Sequence, residues 1–278
     1  MAGNPTPHDA DQVPASGIAG RALGDIEPRR PNEIKKLFLR ALCLRRGYRA
    51  KVVISNEHLC LFPRLGILLN RVKKSGNTTA AAFLNDLSHG NAASAGEGFK
   101  ADLLTPPKMP YSTLLELDRF YSVAVVRNPF ARALSTFRNK LEGGLGRRYG
   151  AMPGHGVAGP EGFRAFLRFL EEGGIDANRH FWRQVDLLFQ PVGRFSRIAR
   201  LETLSEDFAA MLDERGLDPG PAATLTAPHA VEQGAGKLTG AASKLQVYYD
   251  DECTAIVARL YRADFEAFHY DTEVLRSR

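Results

Sequence analysis

The sequence predicts an α/β fold with an open, mostly parallel sheet, because two units of strand, loop and helix follow one another along the chain. In the first unit, an apolar run from Ile67 leads through a short polar loop into an Ala-rich segment that ends near Leu84. In the second, the β-branched run from Phe120 to Val126 precedes Pro129, a residue favoured in the first turn of a helix. Continuous apolar runs are typical of parallel strands covered on both faces, so we expect a three-layer arrangement.

Length and charge limit the organisation of the chain. Its 278 residues, 44% of them hydrophobic, suffice for one large domain, which we assign to residues 33–278. Residues 1–32 are rich in Gly, Pro, Ala and Asp, a composition typical of a flexible tail. The net charge of +6 predicts an anionic partner but does not choose between a nucleotide, an acidic glycan, a membrane surface and nucleic acid.

Neither a membrane span nor a metal site is expected. No stretch reaches the roughly 18 to 20 consecutive apolar residues of a span, and the N-terminus lacks an apolar signal core, so we expect a cytoplasmic protein. The cysteines at 43, 60 and 253 are far apart and show no zinc-ligand spacing.

The segment 33–47 is predicted to form an amphipathic helix that Gly47 ends. Its apolar positions are expected to share the buried face: Ile34, Leu37, Phe38, Ala41, Leu42 and Leu44. Its other face is basic and either is solvated or contacts a glycan or the periphery of a membrane. The apolar run Lys51–Ser55 that follows is expected to be the first strand. Much later in the chain, Ser205 is expected to cap the N-terminus of a helix.

The loop between the strand that begins at Ile67 and the Ala-rich helix has the composition of a phosphate cradle. It comprises Lys73, Lys74, Ser75, Gly76, Asn77, Thr78 and Thr79. A glycine allows close backbone approach, and the N–H groups at a helix N-terminus favour negative charge. A Walker A loop places its lysine after the glycine, whereas here the lysines come first.

A second anion site is predicted where the next strand ends. Arg127 follows that strand directly, and Ser135 lies eight residues later on the helix. Open α/β sheets bind ligands in the crevice beyond the carboxyl ends of their strands. A guanidinium can grip a phosphate through two hydrogen bonds, and a hydroxyl can complete the site.

These two stretches resemble the phosphate-binding segments of the carbohydrate sulfotransferases, sulfotransferase family 2, which includes the chondroitin and dermatan sulfotransferases. Lys74-Ser75-Gly76-Asn77-Thr78 is similar to the 5′-phosphosulfate loop Pro-Lys-x-Gly-x-Thr, with Lys73 at the proline position. The segment from Val126 to Lys140 resembles the 3′-phosphate segment Val-Arg-Asp-Pro-Phe-x-Arg-Leu-x-Ser-x-Phe-x-x-Lys. Asn178 to Gln184 resembles Asn-x-His-Trp-x-Pro-Gln, without the proline and with the tryptophan displaced by one. The resemblance spans roughly Ile67 to Asp271 and suggests a soluble, bacterial-type member.

The resemblance implies a phosphate-loop-NTPase-like fold and a specific reaction. The sulfonyl group of 3′-phosphoadenosine 5′-phosphosulfate would move to a hydroxyl of a carbohydrate acceptor, such as a glycan, lipopolysaccharide or glycolipid, with no metal and no nucleic-acid partner. Residues 73–79, Arg127 and Ser135 would bind the donor. Lys74 would stabilise the charge on the leaving oxygen. Lys73 could share this role or take the place of Lys74.

The acceptor hydroxyl needs a general base, for which histidine has a suitable pKa. His180, in the Asn-x-His segment, is preferred slightly over His89, which follows the Ala-rich helix after the phosphate cradle. An acidic base such as Glu116 stays open. Two other functions also stay open, a nucleotide-dependent kinase of similar fold and a non-catalytic protein that binds anionic glycans or membranes.

Overall fold

The computed structural model describes residues 33–90, 99–143, 149–225 and 245–272; the tail predicted for residues 1–32 lies outside these ranges. Its four-stranded sheet has the order β1-β2-β3-β4, with strands β1 Leu59–Phe62, β2 Ile67–Asn70, β3 Tyr121–Val126 and β4 Arg197–Arg200. The first pair is antiparallel, and the pairs β2–β3 and β3–β4 are parallel. The predicted α/β class with a mostly parallel open sheet is therefore confirmed.

Helices connect and flank these strands. They are α1 Glu33–Arg46, α2 Ala50–Val53, α3 Asn77–Ser88, α4 Tyr111–Leu115, α5 Pro129–Phe137, α6 Gly159–Glu171, α7 Leu204–Glu214, α8 Asp251–Leu260 and α9 Arg262–Phe268. Helix α5 continues directly into one π-helical turn, Arg138–Glu142. Such turns inside helices occur frequently at functional sites.

Both faces of the sheet are covered, since successive strand residues point to opposite sides. Leu69 and Val123 pack on one side with α3 and α7. Leu68 packs on the other side with α1 and α2. Ala124 and Val126 share that second side with the segment around Leu188. The sheet thus forms the middle of three layers.

A second, purely helical core lies beside the sheet and joins α5, α6, α8 and α9. The stripe Phe163, Phe166, Leu167 and Leu170 on α6 is fully buried there. Phe181 enters the same core, with its ring centroid 5.2 Å from that of Phe166. This packing holds the Asn178–Gln184 segment next to α5.

Two local predictions are wrong. Lys51–Ser55 is not a strand, because α2 covers Ala50–Val53 and the chain bends at Ser55. Val52 and Val53 are buried against β1 as helix residues, and so short an apolar run does not distinguish strand from helix. Ser205, expected to cap α7, lies inside that helix, whose cap position is Thr203.

Helix α1 forms as predicted but turns a different face to the core. Leu39, Leu42 and Cys43 are buried, whereas Leu37 and Leu44 are exposed. Lys35, expected on the basic face, is 4% exposed and its ammonium contacts the carbonyl of Met109. Apolar residues occur on both sides of this helix, so the packing of α2, α4 and β1 decides which side is buried.

Within the described ranges, no helix is both long enough and apolar enough to span a membrane. The same residues contain no group of three or more histidine, cysteine or acidic side chains placed to hold a metal ion.

Candidate active site

Both predicted phosphate motifs lie at one edge of the sheet. The loop 71–76 follows β2, and Arg127 follows β3, the strand paired in parallel with β2. Since the carboxyl ends of parallel neighbours meet at the same edge, the two motifs are adjacent.

The first loop has a backbone that favours anion binding. Gly76 has φ of 70°, and a Cβ at that position would lie 2.6 Å from Cδ1 of Leu201. Lys74 also has a positive φ, 67°, which is rare for a residue with a side chain and frequent at functional sites. No side chain caps α3. Its first N–H groups, which have no partner inside a helix, therefore remain available to an anion.

Two buried arginines donate hydrogen bonds to backbone carbonyl oxygens of this loop. Arg127 Nη1 lies 3.5 Å from the carbonyl oxygen of Lys74, and Arg132 Nε donates to that of Lys73 at 2.9 Å. Both side chains are less than 9% exposed, and burial lowers the pKa of each. The second predicted phosphate motif therefore also shapes the backbone of the first.

Gln184 joins the two motifs directly. Its Oε1 accepts from Ser75 Oγ at 2.8 Å and from the backbone N–H of Arg127 at 2.9 Å. Its Nε2 donates to the carbonyl oxygen of Arg127 at 2.7 Å. Asp264, fully buried, accepts from the backbone N–H groups of Gln184 and Val185 at 2.8 and 2.9 Å. The C-terminal helix α9 thereby positions the amide that sets the distance between the phosphate motifs.

Replacing Gln184 by alanine is expected to weaken donor binding as well as stability. Each buried backbone or hydroxyl group left unpaired costs about 1 to 3 kcal/mol, and the two loops lose their common anchor. We expect at least about a tenfold rise in the dissociation constant of adenosine 3′,5′-bisphosphate, measured by calorimetry.

Gln190 provides the matched control. It is also a buried glutamine, and its Nε2 donates to Ser122 Oγ and to the carbonyl oxygen of Arg194, away from the phosphate motifs. Gln190→Ala should lower the free energy of unfolding to a similar extent and leave nucleotide affinity unchanged. Equal losses of affinity in the two variants would contradict the anchoring role.

Lys74 lies at the centre of a group of cations. Burial, followed by the charges of Lys140, Arg127 and Arg132, lowers its pKa to about 8. Among the described residues that shift this pKa there is no carboxylate. The site thus combines excess positive charge with partial exclusion of water, a combination that an anionic ligand would stabilise.

His180 lies near the same group of cations. Burial, and then the charges of Lys140, Lys73 and Lys74, lower its pKa to about 3, so the imidazole is neutral at pH 7. Its Nδ1 is buried and has no hydrogen-bond partner among the described residues. Its backbone is fixed, since its N–H donates to Oδ1 of Asn178 and its carbonyl oxygen accepts from Arg132. The structure therefore brings His180 to the phosphate loop.

His89 is placed differently. It follows the last residue of α3, a helix of 12 residues whose first turn adjoins the phosphate loop, and 12 residues span about 18 Å. Its ring is exposed and Nδ1 lies 2.7 Å from the carbonyl oxygen of Asn85. Glu116 is paired with Arg119 at the end of α4. Neither His89 nor Glu116 shows a described contact with the phosphate motifs.

The remaining residues predicted to bind the donor lie in the loop, at the start of α3 and on α5. Lys73 Nζ is 2.9 Å from Oε2 of Glu57, so its charge is already paired. Thr78 Oγ1 accepts from Nζ of Lys100 at 2.8 Å. Asn77 and Thr79 lie in the first turn of α3. Ser135 is half-buried on α5, and no described hydrogen bond joins it to Arg127.

Sequence reasoning gave no role to three residues that the structure adds to the site: Lys140, Arg132 and Gln184. All three lie in segments that resemble family motifs, Val126–Lys140 and Asn178–Gln184, and this position could have indicated a role in the site. Lys140 occupies the π-helical turn after α5, with Nζ 5.8 Å from the ring centroid of Tyr149. The positive charge of Lys140 contributes to lowering the pKa of both Lys74 and His180.

The fold and this site define an α/β protein with a cationic crevice at the carboxyl ends of parallel strands. The family model described as "Sulfotransferase family" matches residues 57–271. The chain therefore belongs to the sulfotransferase family. Comparisons with curated proteins and with solved structures gave no match.

Proposed function

We propose that the protein transfers the sulfonyl group of 3′-phosphoadenosine 5′-phosphosulfate to a hydroxyl of a carbohydrate acceptor. The observation that carries the proposal is the cationic group around Lys74, whose pKa is lowered by burial and then by the charges of Lys140, Arg127 and Arg132. A donor with phosphate groups on both sides of its ribose supplies the compensating charge at the two adjacent motifs. Their strand, loop and helix order also supports a phosphate-loop-NTPase-like architecture in one domain.

In this reaction the protein positions its substrates and stabilises charge. The bond from sulfur to the bridging oxygen of the 5′-phosphosulfate breaks, and a bond from the acceptor oxygen to sulfur forms. The acceptor proton passes to the neutral imidazole of His180. Lys74 and the first amides of α3 stabilise the charge on the departing phosphate oxygen, by analogy with phosphoryl transfer. Arg127 and Ser135 bind the 3′-phosphate.

An open cleft beside Trp182 supports a carbohydrate acceptor. Its volume is about 720 Å³, and its lining includes Trp182, Lys51, Arg49 and Arg183. An indole ring offers a flat apolar surface to a sugar, and the surrounding polar side chains offer hydrogen bonds. Trp182 lies two residues after the proposed base.

The first test is thermal stabilisation by adenosine 3′,5′-bisphosphate, compared with ADP and AMP. A ligand present at about one hundred times its dissociation constant adds roughly 2.7 kcal/mol to the free energy of unfolding. We expect stabilisation by the 3′,5′-bisphosphate alone. A shift with ADP would favour the kinase alternative, and no shift with any nucleotide would favour a non-catalytic binding protein.

Arg127→Ala should remove most of that stabilisation, because a hydrogen bond to a charged group contributes about 1.5 to 3 kcal/mol. Arg127→Lys is the control, since lysine keeps the charge and loses the planar fork that binds two phosphate oxygens. We expect intermediate nucleotide affinity for the lysine variant by calorimetry. Unchanged affinity in the alanine variant would exclude Arg127 from the 3′-phosphate site.

A further inference from the structure

Helix α1 carries an exposed apolar row. Leu37, Ala41 and Leu44 follow one another on one helix face, with Ile34 beside them, and we call these four residues the α1 row. Ile34, Leu37 and Leu44 are 72%, 67% and 87% exposed. The neighbouring helix α4 adds Tyr111 and Leu115, also exposed. Of the seven large apolar residues that are exposed in the described part of the chain, five therefore lie on these two helices.

The two helices form one continuous surface. The ring of Phe38 packs edge-on against that of Tyr111, with centroids 4.8 Å apart. At the other end, Arg46 forms an ion pair with Asp118 and donates to the carbonyl oxygen of Leu115. Contiguous apolar surface of this kind marks an interaction site, whereas single exposed apolar residues do not.

Cations flank the α1 row on both sides. At roughly 100° per residue, Arg40 lies about 60° to one side of Leu37 and Arg45 about 80° to the other. Both are exposed, and neither lies within ion-pairing distance of a carboxylate among the described residues, while the charge of Arg40 acts on Glu33 from farther away. An apolar centre between unpaired arginines is the pattern of a helix that lies in the surface of an anionic membrane.

We propose that α1 and α4 dock this protein on membranes that contain anionic lipids. The α1 row enters the boundary between headgroups and acyl chains, and Arg40 and Arg45 contact the anionic headgroups. The basic face expected from sequence is thereby replaced by a mixed surface, because Lys35 is buried and Arg46 is paired within the protein.

Cosedimentation with vesicles tests the proposal. We expect the full chain to bind vesicles of phosphatidylcholine with phosphatidylserine, and to bind pure phosphatidylcholine vesicles more weakly. The double variant Leu37→Ser/Leu44→Ser should bind the vesicles at least about tenfold more weakly, because binding no longer transfers two leucine side chains from water into the membrane. Arg40→Gln/Arg45→Gln should lose the preference for phosphatidylserine and its dependence on salt.

Val157→Ser/Val247→Ser is the matched control, since these are the two other large exposed apolar residues of the described ranges. This variant should bind vesicles as the unchanged protein does. Circular dichroism checks that all variants keep their fold. Failure of the unchanged protein to bind, or full binding by the leucine variant, would overturn the proposal. So would light scattering that shows a dimer which the leucine variant loses, because the row would then be a contact between two copies.

Discussion

Lys74→Met is expected to lower kcat for sulfonyl transfer by about 10² to 10³, the loss typical of removing one group that stabilises developing charge. Methionine keeps the length of the side chain and removes the ammonium group. The effect should fall on kcat more than on the affinity for adenosine 3′,5′-bisphosphate, because the charge on the leaving oxygen develops in the transition state.

Lys73→Met is the control for this variant. The ammonium group of Lys73 lies 2.9 Å from a carboxylate oxygen of Glu57 and is therefore already neutralised in part. We expect a much smaller loss of kcat for Lys73→Met. A larger loss than that of Lys74→Met would assign the leaving charge to Lys73 instead.

His180→Ala is expected to lower kcat by about 10² to 10⁴, the range associated with a positioned general base. The imidazole must be neutral to accept the acceptor proton, and its pKa near 3 keeps it neutral over the whole physiological range. Bound donor brings negative charge beside Lys73, Lys74 and Lys140, which raises the pKa of His180 and makes it a stronger base. The nucleotide affinity of the variant should change little.

The matched control is His89→Ala, which should leave kcat unchanged because His89 caps the far end of α3. The opposite pattern, loss of activity with His89→Ala alone, would exclude His180 as the base.

The pH profile gives a second readout. In the unchanged protein kcat should fall towards low pH as His180 takes up a proton, and this acid limb should vanish in His180→Ala. Activity should also fall as the pH rises through the pKa of Lys74, because the lysine then loses its charge. Burial and the neighbouring cations lower that pKa to about 8, and a bound anion raises it.

Much of the architecture could be predicted from local patterns. The strands that begin at Ile67 and Tyr121 have continuous apolar runs, and the polar segments after them have the composition of anion sites. Since parallel strands end at the same edge, these two segments lie together in the structure. The same reasoning failed for Lys51–Ser55, where a run of five residues fits helix and strand equally well.

The sequence by itself determined the fold class, the positions of the two predicted phosphate motifs and the family resemblance, because hydrophobic periodicity and short motifs act over a few residues. Only the tertiary structure decided which histidine lies by the phosphate loop, that Gln184 joins the two motifs, and which face of α1 is exposed. These features depend on contacts between residues far apart in the chain, such as Gln184 with Ser75 and Asp264. Local periodicity carries no information about such contacts, since packing among whole elements selects them.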